Sequence, residues 1–229
     1  MQNLGIDILL NPNHLLRLAE GLWVTIRVAL IAIACSCLLG TLFGVIRTHS
    51  SPVIKWIFRL YLECFRIIPI LVWLYLLYYV LAADFDINLD AYAVSIIVFS
   101  LWGAAEMSDI VRGALISLPK HQTESGLAIG LSQTQLFRYV LLPQALSHVL
   151  PAAINLSARM IMTTSLLFTL GVVEVIKVGQ QIIESASLSN PLASVWIYGF
   201  IFCLYFVVCY PLAKIAQRLN HAHTPESST

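Results

Sequence analysis

Arg27 and Arg47 enclose a run, residues 28–46, that contains no charged side chain. A bilayer core takes about 20 apolar residues in helical form, and in lipid every backbone N–H and C=O must be bonded within its own helix. Such a run has one stable solution, a membrane-spanning helix. Four more segments meet the same condition: 67–83, extended backwards by an amphipathic stretch from Val53; 91–115, interrupted by Glu106, Asp109 and Arg112; 139–173, with Arg159 inside it; and 191–213. The expected fold is an all-α membrane protein of five transmembrane helices. Composition agrees: 59% of residues are hydrophobic and 11% charged, against about 25% charged in soluble domains.

No Gly/Ser/Pro-rich linker or charge block divides the chain, so residues 1–229 read as a single domain. A net charge of +1 gives no basic surface for nucleic acid. The five cysteines all lie in apolar stretches with no CxxC, which favours buried free thiols over a metal or redox centre. The start MQNLGIDILL lacks a positive n-region and a small-residue cleavage site, so the first span reads as a retained anchor.

Orientation follows from lysine and arginine. Arg47, Lys55 and Arg59 fall between spans one and two, Lys120 and Arg138 between three and four, and Lys214 and Arg218 in the tail. All these lie on one side. Asp84, Asp86 and Asp90, with Glu174, Lys177 and Glu184, fall on the other. The N-terminus is expected outside and the C-terminus in the cytoplasm.

The longest cytoplasmic connection, about 119–143, reads as two short helices. Pro119 suits a helix start, Gly130 a left-handed stop, and Ser132 with Gln135 a capping box that opens the second helix. Pro143 disfavours helical geometry at Leu142, and Leu127 and Ala128 are expected to pack inward. GLAIGLSQTQLFRY resembles a DNA-reading helix-turn-helix in outline, but its second helix holds one cation, Arg138, and is tied to spans at both ends.

This connection resembles the EAA motif of ABC-importer permeases: Glu124-Ser125-Gly126, then Gly130, then Leu142-Pro143. Tyr61-x-Glu63-x-Phe65-Arg66-x-x-Pro69 is similar to the YxExFRGTP stretch of the polar amino acid (histidine/glutamine-type) subfamily, and Asp109-x-x-Arg112-Gly113 to its ExxRG. Gln144-Ala145, Pro151, Asn155 and Thr164-Ser165-Leu166 match its QA, P, N and TSL in order. The resemblance implies a type I importer permease in a bacterial inner (cytoplasmic) membrane. It also implies a second permease subunit (the same or homologous), a dimer of cytoplasmic ABC ATPases and an extracytoplasmic solute-binding protein. The motif acid would brace the coupling loop and the glycine allow its turn. No lysine here is followed by Ser or Thr, so no Walker A loop exists. ATP and Mg would sit on the partner subunits, with no cofactor, metal or catalytic residue on this chain.

Several positions depart from the subfamily. FRGTP has become FRIIP, with Arg66 and Pro69 expected at a break between an amphipathic helix and the second span. His121 stands where a glycine is usual. The lysine that usually precedes TSL is Met162 here, and Arg159 lies one helical turn earlier on the same face. Arg159 is therefore a candidate for a substrate carboxylate, with Asn155, Thr163, Thr164 and Ser165 lining the path; an interhelical pair with Glu106 or Asp109 is the competing reading. Asp109 and Arg112 are spaced to pair along one helix face, leaving Glu106 without a local partner and so a candidate for a cationic ligand group. Gly40 and Gly44 form a GxxxG. Two further functions stay open from sequence alone: a secondary transporter, which needs its own ion site and usually an inverted repeat, and a non-transporting membrane scaffold.

Overall fold

Apolar runs flanked by Pro, Gly and polar residues favour long helices with short breaks, and the computed structural model, which describes residues 6–186 and 190–223, contains no strand among those residues. After α1 (Asp7–Leu10), α2 runs from Pro12 to His49. It starts well before residue 28 and takes in Arg17, Glu20 and Arg27, because Leu18 on the same helix is fully buried. Next come α3 (Pro52–Ile67), α4 (Ile70–Tyr75), a π-helical turn (Leu76–Val80), α5 (Leu81–Phe85) and α6 (Ala91–Ser117). Ile68 and Pro69 are extended, with ψ of 124° and 136°, so the helix breaks where FRIIP places it.

The remaining helices are α7 (Lys120–Ala128), α8 (Gln133–Leu136), α9 (Leu142–Thr163), α10 (Val175–Ala186) and α11 (Ala193–His223). A π-helical turn, Phe137–Leu141, joins α8 to α9, and a 3₁₀ segment, Thr164–Leu170, ends the run. Four helical stretches are long and apolar enough to cross a membrane: Pro12–Thr48, Ala91–Ser117, Gln133–Leu170 and Ala193–Asn220. The broken pair Pro52–Ile67 and Ile70–Phe85 makes a fifth if it counts as one span.

Two expectations are corrected. Leu142 is helical, with φ −62° and ψ −46°, despite preceding Pro143. The π-turn immediately before it widens the helix where the proline ring would otherwise press on the carbonyl four residues back. The cysteines are free but not buried: Cys203 is exposed and the other four are half-exposed.

Two compact units emerge. The first takes the residues up to Ala32, with Pro69–Phe99 and Arg159–Pro211. Its core gathers Ile8, Leu18, Val175, Val178, Ile182, Ala193, Ile197 and Ile201, so α10 is held by its apolar face against α2 and α11. Glu174 starts α10: its carboxylate accepts from the N–H of Ile176 (3.0 Å) and of Lys177 (2.8 Å), and from the Thr25 hydroxyl on α2 (3.4 Å). The second unit takes Ile33–Ile68, Ser100–Ala158 and Leu212 onward. There α2 and α6 meet at the GxxxG: a Cβ on Gly40 would lie 2.5 Å from that of Met107, and one on Gly44 2.8 Å from that of Val111. Small residues let the two backbones approach. Phe43, Phe58, Tyr61 and Phe65 then stack in sequence at 5.1–5.8 Å beside them.

Glu174 lies in the turn before α10, outside the spanning helices, and is fully buried. Burial pushes its carboxyl up to about 7 from 4.5, against the opposing hydrogen bonds from Ile176, Lys177 and Thr25. A folded-state pKa above the unfolded one means the unfolded state ionises first as pH rises. The contribution is therefore complete below pH 4.5, falls between 4.5 and about 7, and is flat above. Melting temperatures of Glu174→Gln and wild type, compared across that window, should converge on this profile: only the wild type loses stability on going from pH 5 to about 7.

Candidate functional site

The EAA-like connection folds as a tight hairpin. Pro119 precedes α7 with extended backbone, φ −63° and ψ 132°. Gly130 takes φ +87°, the left-handed conformation that an L side chain resists. Its N–H and that of Leu131 return to the carbonyls of Leu127 (3.0 Å) and Gly126 (3.1 Å), closing α7. The capping box then forms in both directions: Ser132 N–H donates to Gln135 Oε1 at 2.9 Å, and Gln135 N–H to Ser132 Oγ at 3.3 Å. Gly126 packs on Leu136, which is 1% exposed, and this contact clamps the two helices together. The Gln144 side chain reaches Gln122 at 3.5 Å and ties α7 to α9.

The inward residue of α7 is thus Gly126. Leu127 and Ala128 do not pack inward; Leu127 is 41% exposed, and Ile129 beside the turn is 78% exposed. Phe137 and Tyr139 are exposed as well. Polar helix ends with apolar residues around them form a surface that water does not favour. Glu124 and Ser125 are exposed, and Glu124 makes no hydrogen bond or ion pair among the described residues. Leu142 and Pro143 follow the π-turn at the start of α9.

The second group of sequence candidates converges on Asp109. Arg47 Nη1 donates to one oxygen of Asp109 at 2.7 Å and to Ser108 Oγ at 3.0 Å. Arg66 Nη2 lies 2.5 Å from the other oxygen, while its Nε is 3.3 Å from Glu106 Oε1. Glu106 therefore has a cationic partner in Arg66, and Asp109 pairs with Arg47 and Arg66 rather than with Arg112. The i, i+3 spacing on α6 was compatible with a local pair, but two guanidinium groups arriving from α2 and α3 take both oxygens. Arg66 and Asp109 thereby join the FRIIP and DxxRG motifs through one ion pair.

The path candidates are divided between the units: Glu106 and Asn155 in the second, Arg159 and Thr163 to Ser165 in the first. Asn155 and Arg159 are exposed. Thr163 donates to the Arg159 carbonyl at 2.7 Å, and Thr164, 1% exposed, donates to that of Ile161 at 2.7 Å. Each hydroxyl thus donates to a carbonyl of its own helical run, and Thr164 is buried while Ser165 is half-buried. Thr25, Glu174 and the Arg47 contacts were not singled out from sequence. An acid immediately before an amphipathic stretch is a cap signal, but Glu174 had been counted only as a loop charge.

Asp109→Asn leaves Arg47 and Arg66 short of charge and should lower unfolding stability by about 2–4 kcal/mol. Arg112→Gln should change it by less than about 0.5 kcal/mol. Thermal unfolding of both variants in detergent checks the assignment; equal losses would restore the Asp109–Arg112 pair.

A family model described as "Binding-protein-dependent transport system inner membrane component" matches residues 36–222. The glutamine transport system permease protein GlnP of Escherichia coli (strain K12) is 30% identical over 204 residues, covering 89% of this chain and 91% of that protein. The probable amino-acid ABC transporter permease protein PatM of Vibrio harveyi is 37% identical over 165 residues, 71% of this chain and 74% of its own. A crystal structure of an amino acid ABC transporter with histidines superposes with a TM-score of 0.81 at 23% identity, covering 92% of this chain and 95% of that one, which supports the fold. The chain belongs to the family of binding-protein-dependent transport system inner membrane components.

Proposed function

We propose that this chain is one transmembrane subunit of an ATP-driven importer of polar amino acids, and that the hairpin from Lys120 to Leu136 seats it on a cytoplasmic ATPase. The family match supports a permease role, and relatives named for glutamine and cystine transport support the solute class. The observation that carries the coupling role is the hairpin itself: rigid through Gly126, Gly130 and the capping box, yet exposing Leu127, Ile129, Phe137 and Tyr139. A stiff element with an uncovered apolar rim transmits force when a partner grips it, as rigid-body switching requires.

The lysines and arginines of the connections support a hairpin and C-terminus in the cytoplasm and an N-terminus outside. The membrane is then a bacterial inner membrane, and residues 1–229 act as a single permease domain. The chain works with a second permease subunit, an ATPase dimer that binds ATP and Mg, and an extracytoplasmic solute-binding protein. On this reading it is not itself an enzyme. The match to transport-system components favours this reading over a secondary transporter or a scaffold.

Ile129→Asp alters an exposed side chain and should leave the melting temperature of the chain within about 1 °C. It should abolish co-purification with the ATPase and ligand-stimulated ATP hydrolysis in the reconstituted complex. Retention of both would remove the coupling role from this hairpin. Arg159, exposed on α9, is the residue proposed for the substrate carboxylate. Losing a charge-assisted bond of about 1.5–3 kcal/mol, Arg159→Gln should raise the KM of uptake roughly tenfold or more with assembly intact; an unchanged KM would reassign the residue.

A further inference from the structure

Five of the chain's cations meet in one place. A cavity of about 310 Å³ in the second unit is lined by Arg47, Lys55, Arg59, Arg66 and Arg112, with Glu63 and Asp109 among them. Arg47 and Arg66 are already matched by Asp109 and Glu106. Lys55, Arg59 and Arg112 form no ion pair among the described residues, and the remaining carboxylate of the lining is Glu63. Uncompensated like charges in a half-enclosed site raise its potential and favour a counter-anion.

The geometry of α3 says where that anion comes from. Phe58, Tyr61, Leu62 and Phe65 turn one face of the helix inward. Lys55, Arg59, Glu63 and Arg66 recur at helical spacing on the next face, which lines the cavity. Val53, Trp56, Ile57, Leu60 and Ile67, 53–74% exposed, occupy the third. A helix with a cationic face beside an uncovered apolar one is built for the headgroup boundary of a bilayer.

We propose that this cavity binds the phosphate of an anionic phospholipid headgroup, whose acyl chains lie along the apolar face of α3. The guanidinium forks of Arg59 and Arg112 match a phosphodiester bidentately, and Lys55 adds a point charge. A choline headgroup would bring its own cation into a site already in cationic surplus. The assignment requires a membrane around α3 but is independent of the solute and of the hairpin's partner, so failure of the importer reading would leave it standing.

Native mass spectrometry of the assembled complex, offered phosphatidylglycerol and phosphatidylcholine with identical acyl chains, tests it. The wild type should retain the anionic lipid preferentially. The Lys55→Gln/Arg59→Gln double variant should lose that preference by roughly tenfold, Arg59→Lys, which keeps the charge but not the fork, should lose less of it, and Lys214→Gln/Arg218→Gln in the tail should leave it intact. Equal retention of both lipids by the wild type would overturn the proposal, as would an unaffected double variant or an equal loss in the tail variant. Inorganic phosphate is the second arm: if it displaces the lipid at millimolar concentration, the source is free phosphate and the lipid assignment fails. A complex that retains no anionic lipid assigns the cavity to a partner's acidic side chain and also overturns it.

Discussion

Asp109 governs the second unit. A carboxylate inside an apolar helix is tolerated only when it is paired, and here both of its oxygens are taken by guanidinium groups from two other helices. Arg47 could not end α2 at a 10%-exposed position without it. Arg66 could not turn inward one residue before the end of α3 without it. The small-residue seam between α2 and α6, at Gly40 and Gly44, brings the two backbones close enough for Arg47 to reach Ser108 and Asp109. The aromatic stack from Phe43 to Phe65 then fixes α3 along the same seam. Packing and charge enforce one register: sliding α2 by a turn would break both.

What the sequence made legible was local. The charge-free runs marked the spanning helices, and FRIIP marked the break at Ile68–Pro69. Gly130 and the Ser132–Gln135 box gave the hairpin's turn and second start, because a cap and a left-handed residue are decided by neighbours four positions away at most. What it hid was tertiary. Asp109 has a possible partner, Arg112, three residues along its own helix and two more on other helices, and nothing in the spacing says that the distant two win. Glu106 read as unmatched for the same reason, since Arg66 is 40 residues away. Leu127 and Ala128 looked inward by hydropathy, yet Gly126 is the residue that faces Leu136, because only a hydrogen side chain admits such close contact. Nor does spacing say that the Thr163 and Thr164 hydroxyls donate to the carbonyls of Arg159 and Ile161.

The first unit uses the opposite strategy from the second. Its polar device is a buried acid, Glu174, which satisfies two N–H groups of α10 and meets Thr25 on α2. The acid thus caps one helix and docks it on another with a single side chain. The hairpin adds a third strategy, a box of reciprocal side-chain bonds with a glycine clamp. In both segments a few polar contacts set where a helix starts, while apolar packing, of α10 on α2 and α11 and of Gly126 on Leu136, holds it in place.

The fourth membrane-crossing run also departs from a uniform α-helix at both ends, with a widened π-turn at Phe137–Leu141 and a tightened 3₁₀ segment at Thr164–Leu170. The two advance the chain by different angles per residue. Azimuth therefore cannot be carried by arithmetic from Gln133 to Leu170: side chains that a helical wheel would align across either irregular turn face different directions.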